Sequence, residues 1–221
     1  MMNSRSNMNG PRCRIQFIGH SHARNLNDFI AAKPERCNFG FEPAKVNIDV
    51  FGIGGLKLDD FVGVAPRFRP SRRGSEIFLR IDAFRPDFLV LLIGDNDVVD
   101  NSLAALDFKF NQLIALIRRR FPSVRQVILC QLLPRHGLAG TIYNDKAGVV
   151  NQRLLALSQN NDYVWIKICL FYFPQNDDRL FRQMARFYRR DGVHLTPAGY
   201  YKLYRALRAV VKNSLDRFSG V

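Results

Sequence analysis

Apolar positions in this chain fall into short continuous runs separated by longer stretches of helical periodicity, and that rhythm predicts the architecture. Ile15, Phe17 and Ile18 make a first strand that stops at Gly19, and Leu26, Phe29 and Ile30 then share one side of a helix ending near Ala32. Val46 to Phe51 alternates as a second strand and enters a glycine turn, Gly52-Ile53-Gly54-Gly55, followed by a short helix over 56–62. Residues 67–74 form a basic, proline-containing loop, and 75–84 a helix ending before Pro86. Phe88 to Ile93 is apolar at every position, as expected of a central parallel strand buried on both faces. Leu103, Leu106, Phe110, Leu113, Ile114 and Ile117 recur at helical spacing until Pro122. A fourth strand covers 124–130, a helix 145–159 and a fifth strand 163–168. The last helix begins near Pro197, with Leu203, Leu207, Val210 and Val211 on its apolar face.

Five strands alternating with helices imply an α/β fold with a five-stranded parallel sheet covered on both sides. With 221 residues and 47% apolar composition, one domain over 12–221 is expected, after a polar, disordered leader over 1–11 that has no signal-peptide character. No apolar run is long enough for a transmembrane helix. Cys13, Cys37, Cys130 and Cys169 lack CxxC spacing, and three of them sit in or beside strand-like runs. That usage fits reduced thiols in an intracellular protein, cytoplasmic or nuclear, and argues against zinc.

The net charge of +14 changes the picture, because it is uneven. Ten basic residues between Arg179 and Arg217 face only Asp191 and Asp216, and Arg67, Arg69, Arg72 and Arg73 form another cluster, as do Arg118 to Arg120. Such a field attracts nucleic acid, an anionic surface or an acidic substrate, although it serves equally as a solubilising surface.

Chemistry-bearing residues stand just beyond the strands. Ser21 follows the first strand at the mouth of a helix, where it can be an N-cap or a nucleophile. Gly55 offers a backbone N–H, and Asn96, in Gly94-Asp95-Asn96-Asp97, a side-chain amide. Asp191 and His194 lie three apart, so one turn lets the carboxylate hold the imidazole. Acyl transfer needs this kit: a nucleophile, a base, an acid that fixes the base's tautomer, and donors for the oxyanion. The segment from Gly19 to Ala23 also approaches the G-x-S-x-G elbow, but Ala23 at its last position and the C-terminal acid–base pair count against that reading. Asp97 reads as structural, His20 and His22 as local, surface groups, and His136 as part of a loop that overhangs the site. The late aromatics Phe171, Tyr172, Phe173, Phe181, Phe187 and Tyr188 suit an acyl pocket, a lid or the core.

Ile18-Gly19-His20-Ser21, Gly52-Ile53-Gly54-Gly55, Gly94-Asp95-Asn96-Asp97 and Asp191-Gly192-Val193-His194 occur in the order of the four blocks of the SGNH (GDSL-like) hydrolase superfamily, which the chain resembles over nearly its whole length. The resemblance implies a flavodoxin-like three-layer α/β/α sandwich and a serine esterase acting on small-molecule or lipid esters without metal or organic cofactor. It implies Ser21 as nucleophile, His194 as base, Asp191 as orienting acid, and Ser21 N–H, Gly55 N–H and Asn96 as oxyanion hole. The family's first block usually reads Gly-Asp-Ser, and His20 stands here in place of the aspartate. That departure, with the basic surface, supports an alternative: a catalytically weakened scaffold that binds nucleic acid or another polyanion. The histidine and the Tyr143-Asn144-Asp145-Lys146 stretch are similar to an animal group that includes esterase-like domains of LINE-type retroelements.

Overall fold

The computed structural model describes residues 12–63, 69–140, 142–167 and 183–219, with the side chains of 165–167 left aside. Expectations for the leader, for Arg67, Arg179 and Arg182, for Ile168 and Cys169, and for the aromatics at 171–173 and 181 lie outside those residues.

Five parallel strands form one sheet: β1 (Cys13–Gly19), β2 (Val46–Gly52), β3 (Phe88–Leu92), β4 (Gln126–Cys130) and β5 (Val164–Lys167), in the order β2-β1-β3-β4-β5. The helices are α1 (Ser21–Ala31), α2 (Arg72–Phe84), α3 (Leu103–Arg120), α4 (Tyr143–Gln159) and α5 (Pro197–Ser219).

Alternation along the strands divides the core in two. Ile18, Leu89, Leu91, Val127 and Leu129 pack against the buried faces of α2, α3 and α4. Phe17, Val90, Leu92 and Ile128 meet Leu26 and Ile30 of α1 and Leu203, Leu207 and Val210 of α5 on the other face. This is the expected three-layer α/β/α arrangement. Cys13 and Cys130 are buried, and desolvation, with the nearby Asp87 charge, pushes the Cys13 thiol up to about 12, as suits an inert core group.

Most boundaries shift by one or two residues, and two elements differ more. The basic loop is shorter, because the Ser71 hydroxyl accepts from Gly74 N–H and starts α2 already at Arg72. The expected short helix over 56–62 is a single 3-10 turn, Leu58–Asp60, in which Asp60 accepts from Lys57 N–H at 2.8 Å.

In a sheet with this order, β1 and β3 leave in opposite directions, and the crevice beyond their C-terminal ends is where open α/β sheets place ligands. Ser21 follows β1 and Asn96 follows β3, so both stand at that point. The crevice is narrow enough that a Cβ at Gly52 would lie 2.3 Å from Arg24 N, which is why α1 can abut the end of β2 only across a glycine.

Candidate active site

His20 caps α1, and Ser21 is the helix's first residue. The Ser21 hydroxyl lies 3.2 Å from His194 Nε2, and His194 Nδ1 lies 2.8 Å from Asp191 Oδ2. The Nδ1–H therefore donates to the carboxylate, and Nε2 is left as an acceptor facing the hydroxyl. The other Asp191 oxygen accepts from Val193 N–H and His194 N–H, both at 2.8 Å. Burial works against ionisation of Asp191, but these bonds from the His194 ring and the two amides outweigh it and hold the carboxyl at about 2.

The Asp191–His194 loop is pinned from several sides. Gly192 takes φ +68°, and its carbonyl accepts from His136 N–H at 2.7 Å. A Cβ at Gly192 would fall 2.0 Å from His136 O, so both conformation and space demand glycine. Arg189 N–H donates to His194 O at 2.7 Å, and the Thr196 hydroxyl accepts from Gly199 N–H to open α5 at Pro197. The His136 loop is thus a support for the acid–base loop. Tyr188 is buried and donates to Pro134 O, which makes it core, while Phe187 is half-buried against the same cluster.

The second and third blocks are tied together. Asn96 Nδ2 donates to Leu56 O at 3.0 Å, and Leu58 N–H donates to both Asp97 oxygens at 3.1 Å. Asp97 is structural, and burial outweighs that donor to push its carboxyl up to about 6. Gly55 takes φ +71°, and neither its N–H nor that of Ser21 meets a backbone acceptor among the described residues. Ser21, His194 and Asp191 are therefore brought into one hydrogen-bonded row, and Gly55 is fixed beside Asn96 through Leu56.

His20 and His22 are not surface groups: they are 2% and 4% exposed. His20 Nδ1 accepts from His22 N–H at 3.4 Å, so its Nε2–H is the donor to Asp95 Oδ2 at 2.7 Å. The other Asp95 oxygen accepts from the Tyr143 hydroxyl at 2.9 Å and Leu133 N–H at 3.2 Å. Burial opposes ionisation of Asp95, yet the His20 ring and the other donors hold its carboxyl well below the usual range. The network runs on into the loop after β4. Arg135 lies over the Tyr143 ring at 4.0 Å and donates to Asp95 O, and Asn144 exchanges two hydrogen bonds with the Arg135 backbone. The aspartate missing from the first block has a counterpart in the third, bonded to the histidine that replaced it.

His22 packs between His20 and His194, with ring centroids 5.1 and 6.1 Å away, and its Nδ1 lies 3.3 Å from the Tyr200 hydroxyl. Burial, reinforced by His20, lowers its pKa from 6.5 to about 3. Between those values the unfolded chain binds a proton that the folded protein refuses, so this group's contribution to stability is full above 6.5 and is lost as pH falls. The His22→Asn variant is expected to lose less stability than wild type on acidification from neutral pH, by up to about 1.4 kcal/mol per pH unit in urea titrations. Equal slopes would show that His22 is not the group responsible.

Among the described residues no group of three or more His, Cys, Asp or Glu side chains is arranged to hold a metal ion, and no helix is long and apolar enough to cross a membrane.

The sequence matches the GDSL-like Lipase/Acylhydrolase family over residues 18–202, and the chain belongs to that family of SGNH-type hydrolases. Solved structures agree in fold. A lipase/acylhydrolase from Enterococcus faecalis is 18% identical, with a TM-score of 0.57 over 91% of this chain and 96% of that one. A carbohydrate esterase family 3 protein from Talaromyces cellulolyticus is 15% identical, with a TM-score of 0.60 over 93% and 99%. A carbohydrate acetylesterase family member from Sinorhizobium meliloti is 13% identical, with a TM-score of 0.61 over 92% and 99%. No curated protein matches the chain in sequence.

Proposed function

We propose that the protein hydrolyses carboxylic esters, acyl or acetyl, with Ser21 as nucleophile, His194 as general base and Asp191 as the acid that orients it. The observation that carries this reading is the unbroken row from Ser21 Oγ to His194 Nε2 and from His194 Nδ1 to Asp191 Oδ2. Ser21 Oγ adds to the ester carbonyl carbon as its proton passes to Nε2. The carbonyl oxygen becomes an oxyanion facing Ser21 N–H, Gly55 N–H and the second N–H of the Asn96 amide, whose first is held by Leu56 O. Collapse breaks the ester C–O bond, and the departing alcohol takes the proton from His194. A water molecule then attacks the acyl-serine with His194 again as base, and the acid is released as Ser21 recovers its proton. Names of structurally similar proteins, an acetyl esterase and carbohydrate esterases, agree with a small acyl group.

The Asn96→Ala variant is expected to lose roughly a hundredfold or more in kcat on an aryl ester, because a fixed donor to the oxyanion disappears. An unchanged kcat would remove Asn96 from that role. The weakened-scaffold alternative draws on His20 and on the charge, and the His20–Asp95 bond gives the first a structural role. Nucleic-acid titration of the Ser21→Ala variant tests the second: tight binding that falls steeply with salt would revive it.

A further inference from the structure

We infer that the ester this site accepts bears an anionic group, a carboxylate or a phosphate, next to the scissile bond, and that Arg24 and Arg73 recognise it. This rests on the esterase reading above and names the substrate class of the same site. Arg24 stands one turn beyond Ser21 in α1 and is exposed. Its guanidinium reaches the glycine turn, where a Cβ at Gly54 would be 3.1 Å from Nη1. Arg73, in the first turn of α2, approaches from the other side, and its Nη1 donates to Gly55 O at 3.3 Å. Two guanidiniums therefore bracket the turn that presents Gly55 N–H to the substrate carbonyl.

Neither arginine meets a carboxylate among the described residues, although carboxylates are near. Asp28 lies one turn on from Arg24 in the same helix, yet Arg24 extends to Gly54 instead. Asp60 is occupied by the Ser71 hydroxyl and Lys57 N–H, and Asp59 pairs with Lys109. The helix dipole does not favour these placements either. Arg24, Arg72 and Arg73 sit in the first turns of α1 and α2, where the helix dipole is positive and a cation is disfavoured, and neither turn holds an acidic residue. Two cations without a carboxylate partner, both reaching the Gly54-Gly55 turn and one carried by the helix that Ser21 opens, make a site for an anion. A planar guanidinium on either side binds a carboxylate or phosphate through charge-assisted hydrogen bonds.

The test compares kcat/KM within two matched pairs: phenyl succinate against phenyl butyrate, and 1-acetylglycerol 3-phosphate against 1-acetylglycerol. Wild-type protein is expected to prefer the anionic member of at least one pair by about tenfold, the yield of one charge-assisted hydrogen bond, with the preference shrinking as salt is added. The pair that responds distinguishes a carboxylate on the acyl side from a phosphate on the alcohol side. In the double variant Arg24→Gln/Arg73→Gln the ratio falls toward one, and Arg24→Lys/Arg73→Lys restores part of it. Because Arg73 also bonds Gly55 O, the ratio is read rather than either rate. Equal use of neutral and anionic esters by wild type, or a ratio indifferent to the double substitution, overturns the inference and leaves the esterase reading intact. Failure to hydrolyse any of the four esters overturns both.

Discussion

Replacing Ser21 with alanine is expected to abolish ester hydrolysis, with kcat falling on the order of a million-fold, while the melting temperature stays near that of wild type. The size follows from the chemistry: without Oγ no acyl-enzyme forms, and His194 has only water to activate. The stability follows from the position. Ser21 is half-buried, and among the described residues its hydroxyl bonds only His194, whose ring stays anchored by Asp191 without it. The measurement is hydrolysis of a short-chain aryl ester by both proteins, with thermal unfolding alongside. Retained turnover in a folded variant would end the assignment of Ser21 as nucleophile. A lost turnover in a protein that had also lost its fold would not arise from a hydroxyl this lightly held.

Asp95→Ala should show the reverse pattern, with a large loss of stability at a residue outside the Ser–His–Asp row. Asp95 is 8% exposed and accepts from His20, Tyr143 and Leu133 N–H at once. Alanine leaves an imidazole N–H, a phenol and an amide buried without an acceptor, and breaking a buried charged network of this kind costs about 3–5 kcal/mol. For a domain of this size that corresponds to a fall of about 10 °C in melting temperature. Asp95→Asn should lose markedly less, since its Oδ1 still accepts from one or two of the same donors. If alanine and asparagine were equally mild, the network would be ornamental and the link between His20 and the Ser21 turn would have to be sought elsewhere. Because His20 also caps α1, the alanine variant is further expected to slow hydrolysis.

Much of this molecule is legible in its sequence because a parallel sheet buried on both faces leaves a plain signature. The run from Phe88 to Ile93 and the periodic face from Leu106 to Ile117 announce β3 and α3 to within a few residues. Ser21, Asn96, Asp191 and His194 stand out in the sequence as candidates too, each lying next to an element whose end is marked by glycine, proline or an Asx turn, and the structure brings Ser21, Asp191 and His194 together. Asp95 was not legible, and neither was the burial of His22. The partners of Asp95, His20 and Tyr143, are 75 and 48 residues away, a pairing that the packed loops after β1, β3 and β4 create. The unusual histidine at position 20 was the available signal, but it points to a partner without saying where that partner lies. His22 looks like a surface residue because it is itself polar and follows Ser21, and Tyr200, whose ring helps to cover it, is 178 positions away.

The separation of 173 positions between Ser21 and His194 also sets when the two side chains can meet. On a ribosome Ser21 emerges well before His194, and long separations of this kind make the contact late in folding as well. Until α5 and the loop before it dock, Ser21 lacks the His194 ring that faces it in the folded protein. Under the proposed mechanism the growing chain would be silent toward the esters around it, and the onset of hydrolysis would double as a clock for the docking of that loop.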